Sequence, residues 1–362
     1  DSTEIVTKEM YDFEDKGGRR LALRPEGTAG VVRAFVEHRP QLPWKVWYSG
    51  PNFRYEKAQK GRYRQFDQVG IEVLGSDDAQ VDVEVIALAQ RFYEALGLQR
   101  VRLLMNSLGD EGDRARYAVA LREHFESYGD ALTAESRATL ERNPLRVLDS
   151  KRHDDRPMVD SAPLMTEFLS PAAREHFEQV CAGLDALGVG YTLQPRLVRG
   201  LDYYRRTTFE FVGEALDGAQ NAVGGGGRYD GLVEQMGGPA TPGIGFALGV
   251  DRTLLACDAE GVFPAPAHAV DVFVVDTTGG REATWLTHEL RAAGVRADRG
   301  YDNRSMKSQM KAADRSGAAV ALIVGSDEVA AGLVTVRPLR GGDQRAVPRT
   351  DVVQAVRETL HQ

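Results

Sequence analysis

The feature that most constrains the fold is a polar pattern between Arg54 and Glu72, carried by two segments that alternate as β-strands do. KVWYSGPNFRYE and RYRQFDQVGIEVLG flank the turn-like stretch KAQKG, so the sequence predicts a hairpin with a basic loop. Because residues two apart share a strand face, Arg54 and Glu56 are expected to point the same way. One face of the returning strand is predicted to present Arg62, Arg64, Phe66, Gln68, Gly70 and Glu72.

This face is too polar for the core side of a sheet, where unsatisfied polar groups are costly. We therefore expect it to bind a ligand. The forked guanidinium group of arginine suits phosphate oxygens, and Phe66 offers a surface on which a base can stack. Gln68 and Glu72 can accept hydrogen bonds from an ammonium group or a ring N–H. The basic loop taken alone is also typical of a solvated edge hairpin.

Other segments supply candidate ligand groups but no complete motif of their own. LRPEGT holds Glu26 in a tight turn, and LVRGLDYYRRTTFEF places Arg199 in a strand-like pattern, where it needs an anion partner. NAVGGGGRYDGL and PGIGFALGVDRTLL are rich in glycine, yet neither is a Walker-type loop or has the GxGxxG spacing. No HExxH or GxSxG pattern occurs. A site of arginines, carboxylates and glycines is expected where electrostatics drive phosphoryl or adenylyl transfer.

The chain is predicted to contain two domains joined by the Pro/Ala-rich stretch GVFPAPAH at 261–268. The first, at 1–265, is expected to be an α+β domain: a largely antiparallel sheet flanked by helices, with a helical insertion at about 110–180. The second, at 270–362, alternates in the βαβαβ manner of a compact α/β domain. The fold class is therefore α/β.

Charge and cysteine content exclude several classes of protein. A net charge of −8 argues against a protein that coats nucleic acid by bulk charge, although residues 266–362, with 13 basic and 12 acidic residues, are less acidic than the rest. Two cysteines are too few for a disulfide framework, and no apolar run approaches the roughly 20 residues of a membrane helix. We expect a cytoplasmic protein with no membrane partner. A basic cluster in the second domain, which on charge alone is typical of a solvated helix face, comprises Arg299, Arg304, Lys307, Lys311 and Arg315.

Taken together, the motifs resemble those of a known family. The chain contains, in order, LRPEGT, GPNFRYEKAQKGRYRQFDQVGIEVLG, LVRGLDYYRRTTFEF, GGGGRYDGL and GIGFALGVDR. This set closely resembles the bacterial histidyl-tRNA synthetases, which are class II aminoacyl-tRNA synthetases. The second and last segments are similar to class II motifs two and three, whereas LVRGLDYY and GGRYDGL are similar to the histidine-specific signatures. The resemblance covers nearly the whole chain and implies a C-terminal anticodon-binding domain.

The resemblance also implies an activity and roles for matching residues. Histidine and ATP, with Mg²⁺ bound mainly through the ATP phosphates, would give histidyl-adenylate, and the histidyl group would pass to the 3′ end of tRNA(His). The implied catalytic residues are Arg199, Arg54 and Arg252. Those implied to bind ATP are Arg54, Glu56, Arg62, Phe66 and Arg252. Those implied to bind histidine are Glu26, Thr28, Arg54, Gln68, Glu72, Arg199, Tyr203, Tyr204 and Tyr229.

The family is homodimeric, and its motif one, which builds the dimer interface, would precede STEIVTKEMYDF. Because that motif is not present, either the sequence starts after it or the chain does not form this dimer, and we expect these residues alone to be inactive.

Two alternatives are weighed against this interpretation. One is a catalytically silent regulator similar to the synthetase-like subunit of ATP phosphoribosyltransferase, which typically lacks the C-terminal domain and departs at the histidine-specific arginine. Here Arg199 and residues 271–362 are both present. The other is a synthetase of the same subgroup for a different amino acid, against which LVRGLDYY and the lack of a zinc-ligand set count.

Overall fold

The chain divides into two compact units, Asp1–Phe263 and Pro264–Gln362. The structure, a computed structural model, describes residues 5–150, 152–198, 203–216, 221–263 and 269–361. Residues 264–268 of the predicted linker lie outside this described part. Among the residues described, no helix is long and apolar enough to cross a bilayer. Each unit buries apolar clusters of its own.

The first unit combines a seven-stranded sheet with a small hairpin and several helices. Its strands are β1 (Asp12–Glu14), β2 (Arg20–Ala22), β3 (Trp44–Phe53), β4 (Gln65–Leu74), β5 (Val101–Ser107), β6 (Thr192–Leu193), β7 (Arg205–Gly213), β8 (Ala222–Arg228) and β9 (Gly243–Gly249). Its α-helices are α1 (Thr28–His38), α2 (Ala79–Ala95), α3 (Glu111–Glu126), α4 (Ala134–Arg142), α5 (Arg156–Asp160), α6 (Pro171–Leu187), α7 (Leu232–Gln235) and α8 (Val250–Glu260). Shorter helical turns occur at Ile5–Glu9, Gly129–Ala131, Pro144–Asp149 and Met165–Glu167.

The large sheet has the strand order β3-β4-β9-β8-β7-β5-β6, and its pairs are antiparallel except that of β5 with β6. The predicted antiparallel sheet is therefore confirmed. Along β4, the alternation of the sequence places Phe66, Gln68 and Glu72 on one face. In the register of the sheet, Glu72 lies opposite Gly245 of β9, and Gly245 lies opposite Gly227 of β8.

The hairpin differs from the prediction at the start of its returning strand. β4 begins at Gln65, so Arg62 and Arg64 precede the strand and do not share its face. Gly61 has a φ of 72°, and an isolated bridge pairs Arg62 with the loop, so this part of the chain is held in a tight turn. Arg64 stacks on Tyr55, with its guanidinium carbon 4.7 Å from the ring centroid.

The glycine run 224–227 lies inside the central strand β8, where it permits close approach between strands. A Cβ atom at Gly226 would lie 2.0 Å from the carbonyl oxygen of Gly245. A Cβ atom at Gly245 would lie 1.8 Å from Oε2 of Glu72. Both distances are far below van der Waals contact, so only glycine fits between β8, β9 and the Glu72 carboxyl group.

Helices α2 and α6 pack against the sheet and share its largest core. Helix α2 is capped by Asp78, whose side chain accepts a hydrogen bond from the backbone N–H of Gln80 at 2.9 Å. Helix α6 follows the cap Ser170 and ends at Gly188, which adopts a φ of 69°. Phe177, Val180 and Leu184 of α6 are buried in the sheet core.

The stretch predicted to be a helical insertion is helical, but it does not pack as one body. Its C-terminal helix α6 belongs to the sheet core, whereas a separate cluster runs from Tyr117 to Met165. The loop and helix turns of that cluster meet at the buried carboxylate of Asp155. Asp155 accepts hydrogen bonds from Ser136 Oγ at 2.5 Å and Ser150 Oγ at 2.8 Å. Burial alone would raise the pKa of Asp155, but these hydrogen bonds hold it below its ordinary value.

The second unit contains a five-stranded sheet in the order β11-β10-β12-β13-β14. Its elements are β10 (Val272–Asp276), α9 (Arg281–Ala292), β11 (Ala297–Arg299), α10 (Met306–Ser316), β12 (Val320–Val324), α11 (Ser326–Ala331), β13 (Leu333–Pro338), β14 (Arg345–Pro348) and α12 (Val352–Leu360). The pairs of β10 with β11 and β12 are parallel, which confirms the predicted βαβαβ alternation. The antiparallel strands β13 and β14 extend the sheet beyond what was predicted.

We expect Gly226→Ala to destabilise the first unit by more than about 3 kcal/mol, because the added methyl group would overlap backbone in the adjacent strand. Gly30→Ala is the matched control, since Gly30 lies in α1 and a Cβ atom there meets nothing within 4 Å. This control should keep the stability or raise it by up to about 1 kcal/mol. Urea unfolding of the two variants tests the prediction, and equal stabilities would contradict it.

Candidate active site

A cavity of about 1660 Å³ opens in the first unit. Strands β4, β8 and β9 supply one wall, and α4, α5 and the turn at Pro144–Asp149 supply residues from the insertion. The predicted site residues that line this cavity are Glu26, Thr28, Arg54, Glu56, Arg62, Phe66, Gln68, Glu72, Tyr204, Tyr229 and Arg252. Tyr203 lies behind this lining, and Arg199 lies outside the described residues.

Glu72 places a buried carboxyl group in the lining of the cavity, since this residue is only 1% exposed. The hydroxyl groups of Thr28 and Tyr229 each donate to it at 2.7 Å, and Tyr48 donates at 3.3 Å. Burial raises the pKa of Glu72 to about 8, although the three hydrogen bonds act in the opposite direction. Burial thus favours the protonated form of this carboxyl group at neutral pH.

A second carboxylate, that of Glu26, lies at the N-terminus of α1. It accepts hydrogen bonds from the backbone N–H groups of Thr28 at 2.7 Å and Ala29 at 2.8 Å. The Tyr203 hydroxyl donates to it at 3.4 Å, and the Tyr203 ring packs edge-on against Tyr204. The turn predicted at LRPEGT thus fixes an acceptor at the cavity wall.

Guanidinium groups gather along another part of the lining. Arg54 donates to the carbonyl of Pro25 at 2.8 Å, and its guanidinium carbon lies 5.1 Å from the centroid of Phe66. Arg252 donates to the carbonyl oxygens of Gly61 at 2.7 Å and Ala222 at 3.0 Å. Arg252 is therefore anchored by its neighbours in a wall that suits anionic oxygens.

Arg62 is paired with Glu56, and both side chains line the cavity. Two hydrogen bonds join them, one from Arg62 Nε and one from Nη2, the latter 2.8 Å long. Burial pushes the pKa of Glu56 upward, but Arg62 and Arg54 hold it below its ordinary value. Glu9 shares a hydrogen bond with Glu56, and burial together with the Glu56 charge raises the pKa of Glu9.

Behind the cavity, a fully buried arginine precedes Tyr229. Arg228 donates to Asp82 at 2.8 Å and Asp230 at 3.1 Å, and to two backbone carbonyls at 3.2 Å. Asp82 also pairs with His176 of α6 at 2.9 Å. These charges connect β8 with α2 and α6, so they fix the strand from which Tyr229 reaches Glu72.

Sequence reasoning missed several residues at this site. Tyr48 and Asn52 lie on the strand face that continues backward from Arg54 at a spacing of two, and that spacing is the signal that could have found them. Gly27 and Gly70 leave room for the Tyr48 ring, because a Cβ atom at either would lie 2.2 Å from it.

The insertion also contributes residues that were not predicted. Arg142, Arg146, Arg152 and Arg156 line the cavity from this side. Arg196 joins them and donates to the carbonyl of Val159 at 2.7 Å. No local spacing pattern in the sequence marks these arginines, since they reach the cavity through tertiary packing.

Comparisons with known proteins agree on one family. Residues 2–253 match the family model described as histidyl-tRNA synthetase, and residues 270–359 match the anticodon binding domain. A histidine–tRNA ligase of Rhodococcus erythropolis is 53% identical over 98% of this chain and 84% of its own length. The apo structure of Staphylococcus aureus histidyl-tRNA synthetase is 39% identical with a TM-score of 0.75, covering 98% of this chain and 88% of that chain. A Bacillus halodurans structure titled ATP phosphoribosyltransferase regulatory subunit/histidyl-tRNA synthetase shares the fold. It is 21% identical with a TM-score of 0.60, covering 87% of this chain and 83% of that chain.

We predict that Arg228→Met lowers the free energy of unfolding by about 3–5 kcal/mol, because it leaves the buried carboxylate of Asp82 without its cation. Arg20→Met is the matched control. Arg20 pairs with Asp12 at 2.7 Å but its side chain is 80% exposed, so its loss should cost at most about 1 kcal/mol. Chemical denaturation measures both variants, and similar losses for the two would refute the prediction.

Proposed function

Since the chain belongs to the histidyl-tRNA synthetase family, we propose that it attaches histidine to tRNA through a histidyl-adenylate formed in this cavity. The observation that carries the proposal is that the lining of this one cavity contains two chemically different regions. Glu26 and Glu72, with their hydroxyl partners, offer acceptors for the ammonium group and ring of histidine. Arg54, Arg62 and Arg252 offer donors for the phosphates of ATP.

In the proposed first step, a carboxylate oxygen of histidine attacks the α-phosphorus of ATP. The bond from that phosphorus to the β-phosphate oxygen breaks, and pyrophosphate leaves with the electron pair. No general base is needed because the nucleophile is already ionised. We assign charge neutralisation at the α-phosphate to Arg54 and Arg199, and at the outer phosphates to Arg62 and Arg252.

Adenine is proposed to stack on Phe66 near Glu56. The ion pair of Arg62 with Glu56 in the free protein supports a rearrangement on binding, because the ATP phosphates compete with Glu56 for the same guanidinium group. Arg62 would then exchange one anionic partner for another, so that its charge stays balanced before and after binding.

We assign recognition of the amino acid to the remaining predicted residues. Glu26, Thr28 and Gln68 are proposed to hold the ammonium group, and Glu72 with Tyr204 is proposed to read the imidazole ring, supported by Tyr203 and Tyr229. A site built from acceptors rejects analogues that lack the matching N–H groups, because its own buried groups would lose their partners.

Mg²⁺ is proposed to accompany ATP, where it shields phosphate charge. Among the described residues, no group of three His, Cys, Asp or Glu side chains is placed to hold a metal ion. The proposed steps assign no role to a protein–metal bond.

In the second proposed step, a ribose hydroxyl at the 3′ end of tRNA(His) takes the histidyl group from the adenylate. The arginines that line the cavity from the insertion support this assignment, since they suit the phosphates of an incoming strand. The match of residues 270–359 to an anticodon binding domain supports a second contact with the same tRNA.

We further propose that the enzyme acts as a homodimer in the cytoplasm. Trp47 is 74% exposed on the edge strand β3, and Phe13 and Leu21, paired across the β1–β2 hairpin, are 49% and 45% exposed. Exposed apolar side chains on a sheet edge and a hairpin favour contact with another protein surface, here a second copy of the chain.

The proposed activity predicts that the full-length protein, including the dimer-building motif, supports ATP–pyrophosphate exchange that depends on histidine and on none of the other nineteen amino acids. Arg252→Ala should lower the exchange on the order of a hundredfold by removing phosphate stabilisation. Arg91→Ala, an exposed arginine of α2, is the matched control and should retain full exchange. A folded protein that binds histidine but supports no exchange would contradict the proposal and favour a regulatory role.

Glu72 also predicts a pH dependence. Its pKa is raised to about 8, so its protonated form is present at neutral pH and is lost as the pH rises through about 8. Deprotonation buries a charge and removes the O–H group that can donate to the unprotonated ring nitrogen of histidine, so histidine binding should weaken over that range. We divide the kcat/KM for histidine of the wild type by that of Glu72→Gln at each pH. This ratio should be constant below about pH 7 and fall above about pH 8.

This ratio removes the titration of the substrate's own groups, which both enzymes share. The KM for ATP over the same pH range is the control for general effects of pH on the fold. A ratio that stays constant up to about pH 9 would show that Glu72 does not control binding.

A further inference from the structure

We infer that Asn52 is a positioning residue for histidine binding, because it decides which end of the Gln68 carboxamide faces the ligand. The inference rests on the proposed function and deepens it. It concerns a side chain that the resemblance did not assign and that does not line the cavity itself.

The two amides meet across adjacent strands. In the β3–β4 register, Gln68 lies opposite Gly50 and Asn52 lies opposite Phe66, so Asn52 and Gln68 are diagonal neighbours on one sheet face. Asn52 is 1% exposed, and its Nδ2 donates to Oε1 of Gln68 at 2.8 Å. Gln68, in contrast, lines the cavity.

This hydrogen bond has a chemical consequence for the cavity. With Oε1 of Gln68 bound to Asn52, the NH₂ group of Gln68 is the end left for a ligand. An NH₂ group suits the carboxylate of an amino acid, whereas an ammonium group needs an acceptor. The free protein therefore presents the wrong end of Gln68 for the ammonium group of histidine.

The amides can present the other end only by turning together. If Gln68 turned alone, its NH₂ group would face the NH₂ group of Asn52, and two donors would oppose each other. If both turn by half a rotation, Gln68 donates to Oδ1 of Asn52, and Oε1 of Gln68 is released toward the ligand. Asn52 thus couples its own orientation to that of Gln68.

A buried atom without a partner makes this turn inexpensive. Among the described residues, Oδ1 of Asn52 is buried and has no hydrogen-bond partner. After the turn, the Asn52 NH₂ group would occupy that position instead, so one end of Asn52 is unsatisfied in either orientation. The coupled turn therefore has a small cost, which the ammonium group of histidine must meet to bring the Gln68 carbonyl outward.

The test measures histidine-dependent exchange for Asn52→Leu, Gln68→Leu and the double variant. Because Gln68 can turn alone once Asn52 is removed, Asn52→Leu should lower the KM for histidine about threefold, with the KM for ATP within about twofold of the wild type. In the Gln68→Leu background, adding Asn52→Leu should have no further effect, because Asn52 acts through Gln68. Asn52→Ala replaces the leucine variant if the latter melts at a lower temperature than the wild type.

Two competitive inhibitors identify the end of Gln68 that binds. Histamine keeps the ammonium group and lacks the carboxylate, and imidazole propionate has the opposite character. Asn52→Leu should strengthen inhibition by histamine and weaken inhibition by imidazole propionate, because Asn52 no longer holds the NH₂ group of Gln68 toward the ligand. The reverse pattern, additive effects in the double variant, or a parallel rise in both KM values would overturn the inference. A wild-type enzyme without exchange would instead refute the proposed function.

Discussion

The architecture of the first unit depends on a charge that has no access to water. Arg228 is fully buried at the end of the central strand β8, and its guanidinium group is satisfied by Asp82, Asp230 and two backbone carbonyls. A charge in this position is tolerated only when its partners surround it, so the helix and loop that carry them are held in place. His176 extends the same network from Asp82 to α6.

The surroundings of Glu72 in the cavity follow directly from this anchor. Tyr229 is the next residue after Arg228, and its hydroxyl donates to the Glu72 carboxyl group from β8 across β9 to β4. The absence of a side chain at Gly245 gives Glu72 the space to lie between these strands. The buried ions around Arg228 and the glycine at position 245 thus together place Glu72 in the buried position that raises its pKa.

The sequence predicted those parts of the site that a local spacing controls. Alternation placed Phe66, Gln68 and Glu72 on one face of β4, because strand geometry leaves little choice once the hairpin is recognised. The same reasoning failed at Arg62 and Arg64, where the turn at Gly61 delays the strand.

Local sequence patterns could not predict the residues that tertiary packing brings to the cavity. The arginines of the insertion reach the cavity through a separate core built around Asp155, and nothing in their spacing records that core. Assignment of the roles depended on the resemblance, since Arg54 and Arg252 could serve any phosphate ligand by their chemistry alone.

The glycines of β8 and β9 limit how this enzyme could change its substrate. Gly224, Gly245 and Gly249 line the cavity, so part of its floor is bare backbone. Because this floor is backbone, it has no side chain that could be shortened to admit a larger amino acid. At Gly224 and Gly245, a side chain cannot be added to favour a smaller amino acid, since a Cβ atom would overlap neighbouring atoms. New specificity, by evolution or engineering, would involve the side chains around Glu72, and two of these, Tyr48 and Tyr229, also hold its carboxyl group.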